Sequence, residues 1–597
     1  MTATPMWTLA QWRAAYRDEG LTPQALLYPL LSSLSMDDPA WLYLIDESRL
    51  AARLAHLDAQ RAAVRSLDDL PLYGVPFAIK DNIDAAGMPT TCACPAFSYM
   101  PEHSATVVQR LEAAGAVLIG KTNLDQFATG LVGTRSPRGA VPNTFEPSYV
   151  SGGSSSGSAS VVARGLVPFS LGTDTAGSGR VPAGFNNIVG LKPSRGWLST
   201  VGLVPACRTL DCISVFALTV DDAEMIADLA GDYDAADPYS RRNPGTAPVG
   251  VAPNPQLAVP DRLEFFGDTN NQAVFDKALA RLRQMGAKVI PIDFSPFTEL
   301  AELLYYGPWV AERTLAVEGV DPQDIDPVVR GIVQTGHSYS ACDAFRAEYR
   351  RAQLSRDIND LLAGFDALVV PTSPTIRTLA EMAIEPVSYN SQFGTYTNFT
   401  NLADLCALAV PAGFRDDGLP AGITFIAPVW HDKALAALGR RWQTLLKLPL
   451  GTSRQPPRPV TVTTGLQPAN CVRVAVVGAH LTGMPLNFQL TTRDAVLVEE
   501  TTTSPEYRLF ALPDSVPPKP GLVRTNAGAH IVVELWDVPT ARFGEFVAEV
   551  PPPLGIGNLK LADGRWVKGF ICEPWALESA LDITEFGGWR AYIASRS

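Results

Sequence analysis

Residues 151–180 read SGGSSSGSASVVARGLVPFSLGTDTAGSGR, in which two Gly/Ser turns flank one apolar span. A flexible Gly/Ser linker would not contain such a span, because valine, leucine and phenylalanine are usually buried in a core. The pattern therefore predicts a helix over 155–163, opened by serine hydroxyls that cap its amides, and a strand over 167–171. The stretch belongs to a folded domain and presents serines at both ends.

The same alternation of helices and strands extends outward from this stretch. Apolar runs at 75–80, 116–119 and 367–370 are each flanked by helical patterns. This arrangement favours an α/β domain with a mixed central sheet flanked by helices.

The composition changes near residue 451, where Pro, Thr and Gly become frequent and apolar periodicity is lost. Short strand patterns follow at 472–477 and 529–535, which predict a smaller α+β domain. We expect an α/β domain over 1–455, a linker over 456–470 and a C-terminal domain over 471–597.

Length, charge and cysteine content exclude several classes of protein. At 597 residues the chain exceeds the roughly 250–300 residues over which a single core keeps growing. A net charge of -13 without a Lys/Arg run disfavours nucleic acid and anionic membranes as partners. No apolar run reaches the ~18 residues of a membrane span. The eight cysteines lack metal-ligand spacing, so we expect mostly buried free thiols and a cytoplasmic protein.

One nucleotide-binding motif matches by pattern but lacks its structural context. Residues 115–122, GAVLIGKT, fit GxxxxGKT. A phosphate-binding loop needs a strand before its first glycine and a helix after its lysine. Here 105–114 has helical periodicity, Gly115 is placed where a helix ends, and a buried strand follows. Because this order is reversed, we do not expect ATP binding.

Lys80 ends the stretch PLYGVPFAIK, whose alternating apolar residues predict a strand buried on both faces. A lysine at a strand end usually reaches solvent along its apolar stem. A buried amine, by contrast, has a lowered pKa and can act as a general base in place of histidine. The sequence alone leaves both alternatives open.

The two glycine-containing turns supply the other parts of an acyl-transfer site. Gly152 and Gly153 allow backbone conformations closed to residues with a Cβ, which can direct Ser154 at a fixed point. The second turn can direct several amides at one oxyanion. These amides belong to Thr175, Ala176, Gly177 and Ser178. We predict that Ser178 is the nucleophile.

A histidine-based triad has little support. His56, His103, His337 and His431 lie in polar helix or turn contexts. The one GxSxG match, GSSSG around Ser155, follows a polar turn rather than the apolar strand of a nucleophile elbow. Serine and lysine solve the same chemical problem in other hydrolases.

These residues resemble the amidase signature family. The matching pieces are PFAIKDNID, GKTNLDQFATG, SGGSSSGS, GTDTAGSGR and VGLKPSRG, which cover about 71–196. The resemblance implies that the α/β domain is an amidase domain, with Lys80 as the base and Ser178 as the nucleophile. It also implies that Ser154 bridges them and follows Gly153 through a cis peptide bond, with the oxyanion hole at 175–178.

Further pieces resemble the allophanate hydrolase group of that family: FATGLVGTRSP, VPACRTLDCISVFALT, YYGPWVAER, GAHLTGMPLNFQL and GGWRAY. The resemblance implies hydrolysis of urea-1-carboxylate (allophanate), the product of a biotin-dependent urea carboxylase, with no metal or organic cofactor. It implies that Tyr305 and Arg313 hold the substrate carboxylate beside the backbone of Gly130. An arginine can clamp a carboxylate through two parallel hydrogen bonds, and Pro308 suits the first turn of the helix that carries Arg313.

The C-terminal domain leaves two alternatives open. The resemblance implies that it assists loss of CO2 from N-carboxycarbamate, with His480 as the acid or base. A lone histidine at a strand end is as readily a structural residue, and the domain a module for dimerisation. A different amidase, such as the A component of an amidotransferase, is the alternative within the same chemistry. We expect a homodimer that binds neither nucleic acid nor membrane.

Overall fold

The computed structural model describes residues 6–453, 471–513 and 515–596. The chain divides into two compact units: unit 1 spans 1–242 and 254–460, and unit 2 spans 243–253 and 461–597. The short segment 243–253 thus belongs to unit 2, although its neighbours in sequence belong to unit 1. The predicted linker lies outside the described residues.

Among its described residues, unit 1 forms one mixed sheet of 11 strands, which confirms the predicted α/β class. The strands are β1 (Trp41–Leu44), β2 (Pro76–Lys80), β3 (Val117–Thr122), β4 (Phe169–Asp174), β5 (Val189–Lys192), β6 (Cys212–Ala217), β7 (Gln256–Pro260), β8 (Lys288–Ile292), β9 (Ala367–Pro371), β10 (Leu405–Phe414) and β11 (Pro420–Pro428). Their order across the sheet is β1-β3-β2-β4-β6-β5-β10-β11-β9-β7-β8.

Helices accompany this sheet through the whole of unit 1. They are α1 (Leu9–Arg17), α2 (Pro23–Ser33), α3 (Glu47–Ala63), α4 (Thr106–Ala113), α5 (Ser156–Ala163), α6 (Val181–Phe185), α7 (Val220–Ala230), α8 (Thr269–Gln284), α9 (Ser295–Tyr305), α10 (Trp309–Ala316), α11 (Pro327–Thr335), α12 (Ala341–Leu362), α13 (Leu379–Ile384), α14 (Ser388–Phe393), α15 (Phe399–Leu402) and α16 (Asp432–Leu446).

Strands β2, β3 and β4 position the candidate site. Every residue in them is buried, as expected for parallel strands covered on both faces. Strand β2 pairs in parallel with both β3 and β4, so the carboxyl ends of the three strands meet at one edge of the sheet. In open α/β sheets, ligands bind at this edge. Lys80 ends β2 and Asp174 ends β4.

The stretch 115–122 has the predicted order of helix, glycine and strand. Helix α4 stops at Ala113, Gly115 takes a left-handed φ of 100°, and β3 follows directly. The lysine of the GKT sequence, Lys121, is buried within β3 and pairs with Asp81 at 2.8 Å. The predicted order of helix, glycine and strand is therefore confirmed, and it is the reverse of the order in a phosphate-binding loop.

Helix α5 forms where it was predicted, but its serines do not cap it. Ser155 is the N-cap residue and makes no side-chain cap hydrogen bond. Instead its Oγ donates to the carbonyl of Thr173 at 3.1 Å, and the Oγ of Ser158 donates to the carbonyl of Leu171 at 3.0 Å. The capping prediction was wrong because the buried carbonyls of β4 compete for the same hydroxyls.

In the described part of unit 2, a five-stranded sheet has the order β13-β16-β12-β18-β17, and a three-stranded sheet has the order β15-β14-β19. These strands are β12 (Cys471–Val476), β13 (Val496–Thr502), β14 (Tyr507–Ala511), β15 (Pro520–Arg524), β16 (Val532–Pro539), β17 (Leu554–Lys560), β18 (Trp566–Cys572) and β19 (Leu581–Asp582). The helices are α17 (Phe488–Thr491), α18 (Thr540–Ala548) and α19 (Trp589–Ala594). The predicted α+β class is confirmed.

All eight cysteines are free thiols, and only Cys342 is exposed, as the sequence suggested. Within 6–453, 471–513 and 515–596, no helix combines the length and apolarity that a bilayer crossing requires. The same residues contain no group of three His, Cys, Asp or Glu side chains arranged to hold a metal ion.

Candidate active site

The amine of Lys80 is completely buried, with 0% of its surface exposed. Its Nζ donates to the Oγ of Ser154 and to the Oγ1 of Thr173, each at 2.7 Å. Burial lowers the pKa of Lys80 to about 7, although the carboxylates of Asp125 and Asp211 act in the opposite direction. With a pKa of about 7, the neutral and protonated forms of the amine are both populated at neutral pH. Because the amine is buried, the solvent-exposed alternative does not apply.

A chain of hydroxyls leads from this amine to Ser178. The peptide bond between Gly153 and Ser154 is cis. The Oγ of Ser154 lies 2.9 Å from the Oγ of Ser178, which in turn lies 3.5 Å from the carbonyl oxygen of Gly130. A hydroxyl can donate or accept as its hydrogen rotates, so this chain can also carry a proton toward Lys80.

The residues 175–178, called the oxyanion turn below, are held from beneath by Asp174. Its two carboxylate oxygens accept hydrogen bonds from the N–H groups of Gly177 at 2.9 Å and Gly179 at 3.0 Å. Arg180 donates to both oxygens, each at 2.9 Å. Burial acts to raise the pKa of Asp174, but Arg180 keeps it below the usual value. This pair fixes the turn as a rigid unit.

The amides of the oxyanion turn are not equivalent. The N–H of Gly177, one of the predicted donors, is already bound to Asp174. In the described part of the chain, the N–H groups of Thr175, Ala176 and Ser178 make no hydrogen bond. Gly177 has φ of 138°, and a Cβ there would collide with the side chain of Thr397. The three remaining N–H groups can bind an oxyanion, while Gly177 shapes the turn.

Asp125 organises the opposite wall and was not singled out from the sequence. Its carboxylate accepts hydrogen bonds from the N–H groups of Val132 at 3.1 Å, Gly133 at 3.0 Å and Arg135 at 3.0 Å. A Cβ on Gly153 would collide with the same carboxylate. Asp125 thereby seats the cis peptide against this loop. Its position within GKTNLDQFATG, a motif flanked by buried apolar residues, is the signal that could have identified it.

The side chain of Arg313, on α10, is 1% exposed. Its Nη1 donates to the Oγ1 of Thr129 at 3.1 Å, and its Nη2 lies 3.4 Å from the hydroxyl of Tyr305. Its Nε is buried and has no hydrogen-bond partner among the described residues. Within that part of the chain no Asp or Glu forms an ion pair with it. The structure thus brings together Tyr305, Arg313 and Thr129, the neighbour of Gly130; we call these three side chains the carboxylate site.

In unit 2, His480 lines a cavity of about 160 Å³ together with Lys519 and Glu549. Its Nε2 lies 2.7 Å from the Oε1 of Gln489, and its ring stacks on Phe570 with 4.9 Å between centroids. Burial lowers the pKa of His480, so the neutral imidazole is favoured at neutral pH. The position in a cavity suits a functional role, and the aromatic packing suits a structural one.

Two family models match this chain. The amidase model matches residues 36–436, and the model of the allophanate hydrolase C-terminal domain matches residues 472–594. The chain belongs to the amidase family. The second match relates the C-terminal part to allophanate hydrolases. A solved structure that covers both units agrees with this relationship.

That structure is the allophanate hydrolase of Kluyveromyces lactis, with 45% identity, a TM-score of 0.85 and 99% of each chain covered. The urea amidolyase of Saccharomyces cerevisiae is 45% identical over an alignment of 610 positions, which covers 98% of this chain and 33% of the relative. This chain thus spans about a third of the length of the curated relatives that it matches first. The A component of the glutamyl-tRNA(Gln) amidotransferase from Symbiobacterium thermophilum is 36% identical over an alignment of 430 positions, which covers 66% of this chain and 87% of the relative.

Proposed function

We propose that this chain hydrolyses allophanate, releasing ammonia from its amide end and leaving N-carboxycarbamate. The single observation that carries the proposal is the buried guanidinium of Arg313, which has no acidic partner among the described residues. A substrate carboxylate would neutralise it through two parallel hydrogen bonds, with the Tyr305 hydroxyl as a third donor. Thr129 and Gly130 connect this carboxylate site to Ser178.

In the proposed first step, the neutral amine of Lys80 takes a proton from Ser154 while Ser154 takes the proton of Ser178. The Oγ of Ser178 then attacks the amide carbonyl of allophanate and forms a tetrahedral intermediate. We assign its oxyanion to the N–H groups of Thr175, Ala176 and Ser178, which have no other hydrogen bond among the described residues.

In the second step the proton returns along the same hydroxyls. Protonated Lys80 passes it through Ser154 to the amide nitrogen, the C–N bond breaks, and ammonia leaves. Water then gives up a proton along the chain, attacks the acyl ester on Ser178 and releases N-carboxycarbamate. The two half-reactions use the same three side chains in the same geometry, and no cofactor is needed in either.

Ammonia release separates this proposal from a different amidase, the alternative that the similarity to amidotransferases keeps open. We expect activity on allophanate but not on simple aliphatic amides, and loss of that activity in Ser178→Ala. Turnover of simple amides with no turnover of allophanate would overturn the proposed substrate. If Ser178→Ala keeps the wild-type activity, Ser178 is not the nucleophile.

For unit 2 we propose loss of CO2 from N-carboxycarbamate, with His480 as the acid or base. The specific support is its position in the cavity beside Lys519, whose ammonium can attract a dianion. Because His480 is neutral at neutral pH, it suits the role of a proton carrier that is charged only transiently. Truncation after Asn470 tests this role: an unchanged rate of CO2 release with an altered oligomeric state would favour a dimerisation module.

Several coarser expectations remain part of this proposal. The domain bounds of 1–455 and 471–597, a homodimeric state and a cytoplasmic location are proposed here on the resemblance. A biotin-dependent urea carboxylase would supply the allophanate, which fits the similarity to urea amidolyases. Sedimentation analysis of the purified chain tests the homodimer, since a monomer at working concentration would contradict it.

A further inference from the structure

The segment 206–211 lies between two parts of the candidate site and forms one closed turn. The N–H groups of Leu210 and Asp211 donate to the carbonyl of Cys207 at 2.8 and 2.9 Å. The carboxylate of Asp211 in turn accepts the N–H groups of Ala206 at 2.8 Å and Cys207 at 3.1 Å. These hydrogen bonds connect the two ends of the turn to each other.

On one side, this turn is bound to the oxyanion turn. The Oγ1 of Thr175 donates to the Oδ1 of Asp211. The Nδ2 of Asn401 donates both to the carbonyl of Asp174 at 2.8 Å and to the carbonyl of Leu210 at 2.9 Å. Three backbone or side-chain oxygens therefore fix the position of the oxyanion turn relative to 206–211.

On the other side, the turn is bound to helix α10. Glu312 accepts two hydrogen bonds from Thr209, from its N–H at 2.8 Å and from its Oγ1 at 2.7 Å. The Sγ of Cys207 lies 3.7 Å from the carbonyl of Trp309. Glu312 directly precedes Arg313, so the residue that binds 206–211 and the residue of the carboxylate site share one helical turn.

Apolar packing runs through the same three elements. Ala176 of the oxyanion turn, Cys207 and Leu210 belong to one buried cluster, and Tyr305 and Trp309 pack against it. Close-packed interiors have low compressibility and transmit small displacements. The hydrogen bonds and the packing thus connect α10 to the oxyanion turn by a short, continuous route.

We propose that 206–211 is a bridge through which the substrate carboxylate, once bound at α10, holds the oxyanion turn in its catalytic position, with Glu312 and Asp211 as the positioning residues at its two ends. The inference rests on the proposed function. Binding energy from a non-reacting part of the substrate is then used in the transition state, which raises kcat rather than lowering KM alone.

The burial of Asp211 supports a role beyond local packing. Its side chain is 4% exposed, and burial raises its pKa to about 6 despite the hydrogen bonds from Thr175 and Cys207. Burying a charged carboxylate is unfavourable, so the hydrogen-bond donors around Asp211 must stabilise its charged form at neutral pH. The positive charge of Arg313 also acts to lower the pKa of Asp211, but less than these hydrogen bonds do.

Two substrates test the bridge: allophanate, and biuret, in which a neutral amide replaces the carboxylate. The variants are Glu312→Gln, Thr175→Val and the double variant, with Thr175→Ser as the conservative rescue. The matched control is Glu302→Gln, because Glu302 is exposed on α9 and makes no side-chain hydrogen bond among the described residues. Steady-state kcat and KM for ammonia release and the melting temperature are measured for each.

We expect Glu312→Gln and Thr175→Val each to lower kcat for allophanate about tenfold, since hydrogen bonds to charged groups are worth at least that factor. We also expect KM for allophanate to change less than about twofold in each variant, and kcat for biuret to change little in Glu312→Gln. The double variant should lose little more than either single one, because both break the same route. Thr175→Ser should regain most of the kcat lost in Thr175→Val, because it restores the hydroxyl that donates to Asp211. The control Glu302→Gln should keep the wild-type kcat.

Equal losses of kcat on both substrates in Glu312→Gln would overturn the bridge and leave Glu312 with a structural role only. Multiplying losses in the double variant would overturn it as well, because they would show two independent effects. If the wild-type chain does not release ammonia from allophanate, the proposed function itself is wrong and the bridge falls with it. An active wild type whose variants show no loss of kcat overturns the bridge alone.

Discussion

Lys80 in unit 1 and His480 in unit 2 are both buried bases, and burial lowers the pKa of each. Lys80 donates to two hydroxyls, and one of these continues to Ser178. Among the residues that the structure describes, His480 has one polar side-chain contact, to Gln489, and its ring packs on aromatic side chains. Burial makes a base available, but only a continuous series of hydrogen bonds connects it to a reacting atom.

The comparison predicts the largest effect at Lys80. In Lys80→Met the base is lost while the apolar stem is kept, so kcat/KM for ammonia release from allophanate should fall by about 10³-fold or more. The matched control is Lys277→Met, at an exposed position on α8, which should keep full activity. A loss below about tenfold in Lys80→Met would show that Ser178 is activated by some other group.

The next effect is expected at the carboxylate site. Arg313→Lys keeps the positive charge but removes the planar fork, so KM for allophanate should rise by about 10- to 100-fold. Arg346→Lys is a suitable control, because Arg346 is an exposed arginine whose partner is Asp343. Unchanged KM in Arg313→Lys, measured by initial rates of ammonia release, would place the substrate carboxylate elsewhere.

His480 gives a smaller and more selective prediction. His480→Gln should leave the rate of ammonia release unchanged, because that step belongs to unit 1, and should slow CO2 release to the rate of the unaided reaction. His337→Gln serves as the control, since His337 is exposed. If CO2 release is as fast in His480→Gln as in the wild type, His480 is a structural residue and the contrast with Lys80 becomes sharper.

The last prediction concerns stability and its dependence on pH. The pKa of Lys80 is about 7 in the folded chain and 10.5 in its ordinary state. Between these values the unfolded chain holds the proton and the folded chain does not, so the free energy of unfolding should rise with pH by up to about 1.4 kcal/mol per unit. Below pH 7 the buried ammonium carries its full cost.

Lys80→Met removes this pH-dependent contribution to the free energy of unfolding. Its melting temperature should exceed that of the wild type below about pH 7, and the difference should shrink as the pH rises toward 10. Thermal unfolding at several pH values measures the difference. A difference that stays constant or grows with pH would mean that the amine of Lys80 is not desolvated in the folded chain.

Local sequence patterns predicted the elements of the site well. The alternation before Lys80 predicted a strand buried on both faces, and the order of helix, glycine and strand at 115–122 followed from periodicity alone. The small residues at 175–178 favour a turn. Its hydrogen bond to Asp174 is also local, since Asp174 and Gly177 are only three positions apart in the chain. Such features depend on neighbours in the chain.

The contacts between elements could not be predicted in the same way. Thr175 and Asp211 are 36 residues apart, and Asn401 is 191 residues from Leu210. Neither pair lies within a local pattern, so only the folded sheet shows that they meet. The capping prediction for α5 was wrong for a related reason, because carbonyls of β4, outside the helix, accept hydrogen bonds from its serine hydroxyls.

The pH dependence of kcat/KM for ammonia release from allophanate, between about pH 5.5 and about pH 9, tests the central claim most directly. If the neutral amine of Lys80 activates Ser178 through Ser154, kcat/KM should rise with pH through an apparent pKa of about 7. A profile that stays flat across that range, or falls as the pH rises through 7, would contradict the account.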